Sequence, residues 1–151
     1  MGCAATLPPL FFFLWILKSK RHLNETRRLL LTSIRRFFEN WSLIQLGVIS
    51  ILAGVCEELL FRGVLQARLT SSMNPAFAIA VTSVLFGCFH LVTVEYALIT
   101  AFIGAYLGAL YLTSGNLLVP IVTHAVYDFL ALFYLFRSSS LPAEHAENTA
   151  E

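Results

Sequence analysis

From Trp41 to Cys56 the chain carries no charge, and then two adjacent glutamates, Glu57 and Glu58, follow directly, with Leu59-Leu60-Phe61 and Arg62 behind them. An uncharged run of this length reads as most of a membrane-spanning helix. Ionisable side chains on such a helix are expensive in lipid, so they face the interior of a bundle and mark functional positions. This one stretch demands a fold in which neighbouring helices screen Glu57, Glu58 and Arg62 from the bilayer.

Composition supports the demand. Of 151 residues, 58% are hydrophobic and 13% charged, against about 25% charged in a soluble domain. The expected fold is all-α, a polytopic transmembrane helical bundle with four full spans plus one partial N-terminal segment. Seven of the ten basic residues (Lys18, Lys20, Arg21, Arg27, Arg28, Arg35, Arg36) fall in one stretch. Such a cluster sits on the cytoplasmic side or against anionic lipid, which carries Trp41 inside and pushes Glu57 toward the far face. The chain is too apolar and too short for a nucleic-acid partner. Three cysteines, Cys3, Cys56 and Cys88, an odd count in apolar settings with no CxxC spacing, argue against a disulfide framework. Cys56 and Cys88 are expected as small packing residues inside their helices.

The apolar pattern divides the chain into three parts. Residues 1–40 hold a short apolar segment, Leu7 to Leu17 with Pro8-Pro9, and a basic amphipathic helix from Lys18 to Asn40 that is cytosolic or interfacial. Residues 41–137 form the membrane core. The first span runs from Trp41 to about Leu60, its helix continuing to Leu69. After the Thr70 to Met73 turn, Asn74-Pro75 opens a second span, Ala76 to Val94, by a capping residue followed by proline. A break near Glu95 precedes Tyr96 to Thr113, and Ser114-Gly115-Asn116 turns into Leu117 to Phe136. Ala97, Ala101, Ala105 and Ala109, with Gly104 and Gly108, form a small-residue face for helix packing. Residues 138–151 are a polar tail expected to be disordered.

Three constellations carry the polar chemistry. Glu58 and Arg62 stand four apart on one helix face and can pair, while Glu57, turned about 100° from Glu58, faces another neighbour. Phe86 and His90 share a face of the second span. His124 and Asp128 share a face of the last, where a carboxylate one turn from an imidazole can fix its orientation. Each has a bland alternative: an interfacial charge cluster for the first, a packing histidine for the second, an internal polar pair for the third. Depth discriminates among them. At about 1.5 Å per residue, Glu57 lies roughly 21 Å before the Ser71 to Asn74 turn and His90 roughly 24 Å after it. His124 and Asp128 lie only about 12 Å and 18 Å past Asn116, so the third motif meets the others only if the turn near Arg68 projects beyond the Ser114 to Asn116 turn.

In this order and spacing the motifs resemble the CPBP intramembrane protease family, which includes CAAX prenyl endopeptidases and bacterial relatives linked to bacteriocin processing and self-immunity. The family pattern EExxxR, FxxxH and HxxxN or HxxxD is met by Glu57-Glu58 with Arg62, Phe86 with His90, and His124 with Asp128. The likeness covers about Leu43 to Leu132. It implies an intramembrane endopeptidase in which Glu57 is the general base activating a water with His90. Glu58 and Arg62, with Phe86, would support the site, and His124 and Asp128 would occupy the oxyanion-stabilising positions. Asp128 departs from the asparagine form, because an ionised aspartate cannot donate to an oxyanion. The implied protein is an integral, multi-pass membrane protein, in the plasma membrane if bacterial. Its partners would be lipid and a peptide or membrane-protein substrate, prenylated or not; oligomeric state is not readable. No cofactor is expected. Two histidines and a glutamate could hold zinc, but HExxH is absent and zinc is not favoured. The alternatives are an inert immunity or partner-binding membrane protein of the same fold, and an ion pathway, which the apolar segments before Glu57 and after Asp128 disfavour.

Overall fold

A computed structural model describes residues 2–18, 24–38 and 40–137, and every regular element among them is helical. Helix α1 is Leu7–Lys18, entered through a 3-10 turn at Ala4–Thr6. Helix α2 covers 24–38 and widens to π geometry over Leu30–Ile34. Four core helices follow: α3, Leu43–Thr70; α4, Pro75–Phe89; α5, Val94–Ser114; and α6, Leu118–Arg137. Helices α3, α5 and α6 are long and apolar enough to cross a membrane. Helix α4 has 15 residues, about 22 Å of rise, and with α1 is a shorter apolar element. The protein is thus an all-α transmembrane bundle in which the second of the four expected spans is short. Lys20, Arg21 and the tail 138–151 lie outside the described residues.

The helix ends follow from local chemistry. At α3, Ser42 and Gln45 form a reciprocal capping box: the Ser42 hydroxyl accepts from the Gln45 N–H and Gln45 Oε1 accepts from the Ser42 N–H at 2.8 Å, satisfying two otherwise unpaired donors. Asn74 Oδ1 accepts from the Ala76 N–H at 2.8 Å, with Pro75 at the first helical position. Gly115 ends α5 at φ 62°, where a Cβ would be strained, and Asn116 Oδ1 accepts from the Leu118 N–H to start α6. One boundary differs from expectation. Helix α4 stops at Phe89, and the break falls on 90–93 rather than at Glu95. Thr93 Oγ1 accepts from the Tyr96 N–H at 3.1 Å, so Glu95 lies inside the first turn of α5, where an acidic side chain is favoured.

Small residues set the packing. A Cβ on Gly87 of α4 would come within 2.5 Å of the Ala97 carbonyl and 2.9 Å of the Ala101 methyl of α5, so α4 and α5 approach backbone to backbone. Gly54 of α3 plays the same part against Ala125 and Ile121 of α6. Hydroxyls inside the bundle return to their own helix: Ser50 to Leu46, Thr82 to Ala78, Ser83 to Ile79 and Thr100 to Tyr96, each donating to a carbonyl, as a medium without water requires. The amino-terminal turn is stitched in by the Thr123 hydroxyl donating to the Gly2 carbonyl and the Tyr106 hydroxyl to that of Ala5. Cys56 and Cys88 do not pack inside, because both are exposed on the outer helix faces. The inward positions beside them go to Glu58 and Gly87.

Helix α3 extends past the start of α6. Gly63 faces Leu117 so closely that a Cβ there would lie 3.2 Å from its side chain. Residues 64–70 therefore run past the start of α6 while Gln66 still lies beside Gly108 of α5, and this offset against α6 brings His124 to the depth of the glutamates. Part of this helix, Leu59–Gln66, is π-helical. The wider turn buries Phe61, Arg62 and Gln66 together.

Candidate active site

Glu57 and Glu58, neighbours in sequence, occupy different environments. Glu58 is 0% exposed, and its Oε1 accepts from Arg62 Nη1 at 2.7 Å and from His124 Nδ1 at 2.9 Å. Arg62, 1% exposed, uses Nη2 to donate to the Gly104 carbonyl of α5 at 2.7 Å. One carboxylate oxygen thus ties α3 to α6, and one guanidinium ties α3 to α5. The arginine plane also lies over the Phe86 ring, 4.9 Å from its centroid, so the charge meets a π face where it lacks a hydrogen bond.

Phe86 is the hub of the cluster. Its ring centroid lies 4.5 Å from that of His90, 4.9 Å from Phe61 and 6.0 Å from His124. The four-residue spacing of Phe86 and His90 therefore serves direct ring contact. His90 follows the last turn of α4, and its Nδ1 lies 2.8 Å from the Phe86 carbonyl. A carbonyl only accepts, so Nδ1 carries the hydrogen. In the neutral ring, Nε2 is then a bare acceptor, and it stands 3.6 Å from Glu57 Oε2. That oxygen is itself buried without a protein partner. Two acceptors that face each other at this separation suit one water molecule that donates a hydrogen to each.

His124 is held from both sides. Nδ1 donates to Glu58, and Nε2 faces Asp128 Oδ2 at 3.4 Å. The sequence motifs thus converge as a chain, Arg62 to Glu58 to His124 to Asp128, with Glu57 and His90 facing each other beside it. Among the described residues, no three His, Cys, Asp or Glu side chains converge on a point that could hold a metal ion.

The cluster stands in a cavity of about 290 Å³. Glu57, His90, His124, Asp128 and Tyr96 line its polar part, and Ile49, Ile99, Ile103, Leu132 and Leu135 are among its apolar walls. Helix α2 contributes Thr26, Leu30, Ile34 and Phe38, every fourth residue, while Arg28 and Arg36 stay exposed. The basic amphipathic segment therefore runs along the cavity and closes it with its apolar face. Its first turn is tied to α5 by Glu95 Oε2, which accepts from the Thr26 N–H at 3.1 Å and the Thr26 hydroxyl at 3.2 Å.

Two groups at the site escaped the motif reading. Gln66 repeats the Arg62 contact one turn on, with Nε2 donating to the Gly108 carbonyl at 2.9 Å. Its four-residue spacing from Arg62 in an apolar run was the available signal. Gly104 and Gly108, read as packing alone, also expose backbone oxygens to these two side chains. Tyr96 carries no motif, and only the fold brings it to the cavity.

Residues 39–130, more than half of the chain, match the family model described as Type II CAAX prenyl endopeptidase Rce1-like, and the match takes in every motif from Glu57 to Asp128. No curated protein and no solved structure matches. The chain belongs to the Rce1-like type II CAAX prenyl endopeptidase family.

Proposed function

We propose that this member of the family is a glutamate-dependent intramembrane endopeptidase. The observation that carries the reading is the pair of facing acceptors, Glu57 Oε2 and His90 Nε2, 3.6 Å apart at the wall of an apolar cavity. A water held there donates one hydrogen to each. As its oxygen attacks the substrate carbonyl, Glu57 takes the proton, the carbon–oxygen bond forms and the carbonyl oxygen becomes an oxyanion. Collapse of the tetrahedral intermediate breaks the carbon–nitrogen bond, and Glu57 returns the proton to the leaving amine. Glu58 and Arg62 hold His124 at the site and do not take the proton themselves. The apolar walls suit a substrate that presents a lipophilic segment beside the scissile bond, prenylated or not, and water is admitted only at the polar part.

A second reading, an inert immunity or partner-binding protein of the same fold, is favoured by one observation: Asp128 stands at His124 Nε2, where the asparagine form would place an amide. The two readings separate on Glu57→Gln. Membranes carrying the wild type or the variant are given internally quenched peptides, prenylated and unprenylated. The protease reading requires that wild type cleaves and that the variant loses at least about 10³-fold, a general-base contribution with part of the water positioning. Equal signals from the two would leave the inert reading standing.

A further inference from the structure

Resting on the endopeptidase reading, we infer that the Tyr96 hydroxyl is an oxyanion donor of this site, supplying what an ionised Asp128 beside His124 does not. Both ring nitrogens of His124 face carboxylate oxygens, Glu58 at 2.9 Å and Asp128 at 3.4 Å. A hydrogen on Nδ1 is committed to Glu58. A hydrogen on Nε2 is drawn to Asp128, and an ionised aspartate beside a developing oxyanion repels it. A peptide carbonyl attacked at Glu57 needs a neutral donor aimed into the same space.

The other hydroxyls that line the cavity narrow the choice. Thr26 donates to Glu95, Ser50 to the Leu46 carbonyl and Thr100 to the Tyr96 carbonyl. The hydroxyls of Tyr96 and Tyr127 have no protein acceptor among the described residues, though both rings line the cavity. Tyr127 packs its ring edge-on against Phe13, 6.4 Å between centroids, against the apolar cluster of α1, α2, α5 and α6. Both hydroxyls are within electrostatic reach of Asp128, but Tyr96 lies on the catalytic side, its ring 6.5 Å from that of His90 and its hydroxyl also within reach of Glu57. Its backbone is fixed twice, by Thr93 accepting from its N–H and by Thr100 donating to its carbonyl. The donor is therefore placed before substrate arrives, which is what makes an oxyanion donor effective. The step is a hydrogen bond alone: the O–H stays on tyrosine, shares its hydrogen with the negative oxygen and releases it when the carbonyl re-forms.

The test is steady-state kinetics of the full chain in proteoliposomes with an internally quenched farnesylated peptide. It compares wild type, Tyr96→Phe, Asp128→Asn and the double variant, with Glu57→Gln as reference and thermal unfolding as a check on folding. Tyr96→Phe is expected to lower kcat about 10²- to 10³-fold, with KM unchanged. In the Asp128→Asn background the same change is expected to cost less than about tenfold, because the asparagine amide supplies a second donor. A Tyr96→Phe enzyme within about threefold of wild type, while Glu57→Gln is inactive, overturns the assignment and leaves the protease reading intact. Equal losses in the two backgrounds overturn the exchange of roles between Tyr96 and Asp128. An active Glu57→Gln removes the protease reading and this inference with it.

Discussion

Replacing Arg62 by methionine tests the buried pair directly. Arg62 and Glu58 are 1% and 0% exposed, and the guanidinium bonds across to α5 at the Gly104 carbonyl. Methionine keeps the length of the side chain and leaves Glu58 with His124 as its one remaining partner. Stranding one member of a buried ion pair costs about 3–5 kcal/mol, or roughly two to three and a half decades in the folding equilibrium. At about 2–4 °C per kcal/mol for a chain of this size, the melting temperature in detergent should fall by ~6–20 °C, read by far-ultraviolet circular dichroism. The double variant Arg62→Met, Glu58→Met removes both charges, and its melting temperature should lie above that of the single variant. A single variant that melts within about 2 °C of wild type would mean that water or lipid headgroups reach this pair. The reasoning from burial would then be wrong.

Other outcomes follow from the same geometry. Gly87→Ala should weaken the α4–α5 hairpin by about 1–3 kcal/mol, because its Cβ meets the Ala97 carbonyl at 2.5 Å; the readout is the melting temperature, and an unchanged value would refute the close approach. Thr26→Val should loosen the first turn of α2 by removing its hydroxyl bond to Glu95 while the backbone N–H bond stays, raising amide hydrogen exchange across 24–38 while α3 to α6 keep their protection, at about 1.5–3 kcal/mol for a lost hydrogen bond to a charged group. Peptide cleavage should persist in the presence of 1,10-phenanthroline, since the proposed chemistry uses no metal; inhibition reversed by added zinc would overturn it.

Much of the fold was legible because its causes are local. The uncharged run before Glu57, the Asn74-Pro75 start and the Ser114 to Asn116 turn each act within a few residues, so α3, α5 and α6 fall near their expected bounds. The end of α4 was misread because the apolar pattern runs on to Val94, whereas the Thr93 cap decides where α5 begins. The pairing of Glu58 with Arg62 follows from helical spacing. That His124 joins the same oxygen depends on how far α3 is offset against α6, and no residue encodes that distance by itself. Tyr96 was invisible for a related reason. Its neighbours in the cavity come from α3, α4 and α6, and its position in sequence gives no periodic sign of them. The cysteines were misplaced because hydrophobicity does not say which face of a helix meets its partners.

Glu58 Oε1 accepts hydrogens from two helices at once, and the arginine that reaches it also reaches a third. The bond from Arg62 forms within α3, but the one from His124 waits for α6: with α5 or α6 absent, the geometry of the site has no support. During insertion into a membrane, the chain passes through states in which some helices are present and others are not. In those states Glu57 is a carboxylate on a lone helix, without its histidine and without a walled cavity. For a protease surrounded by unfolded neighbours, competence would then arrive together with the finished bundle, when His124 brings the second hydrogen to that one oxygen of Glu58.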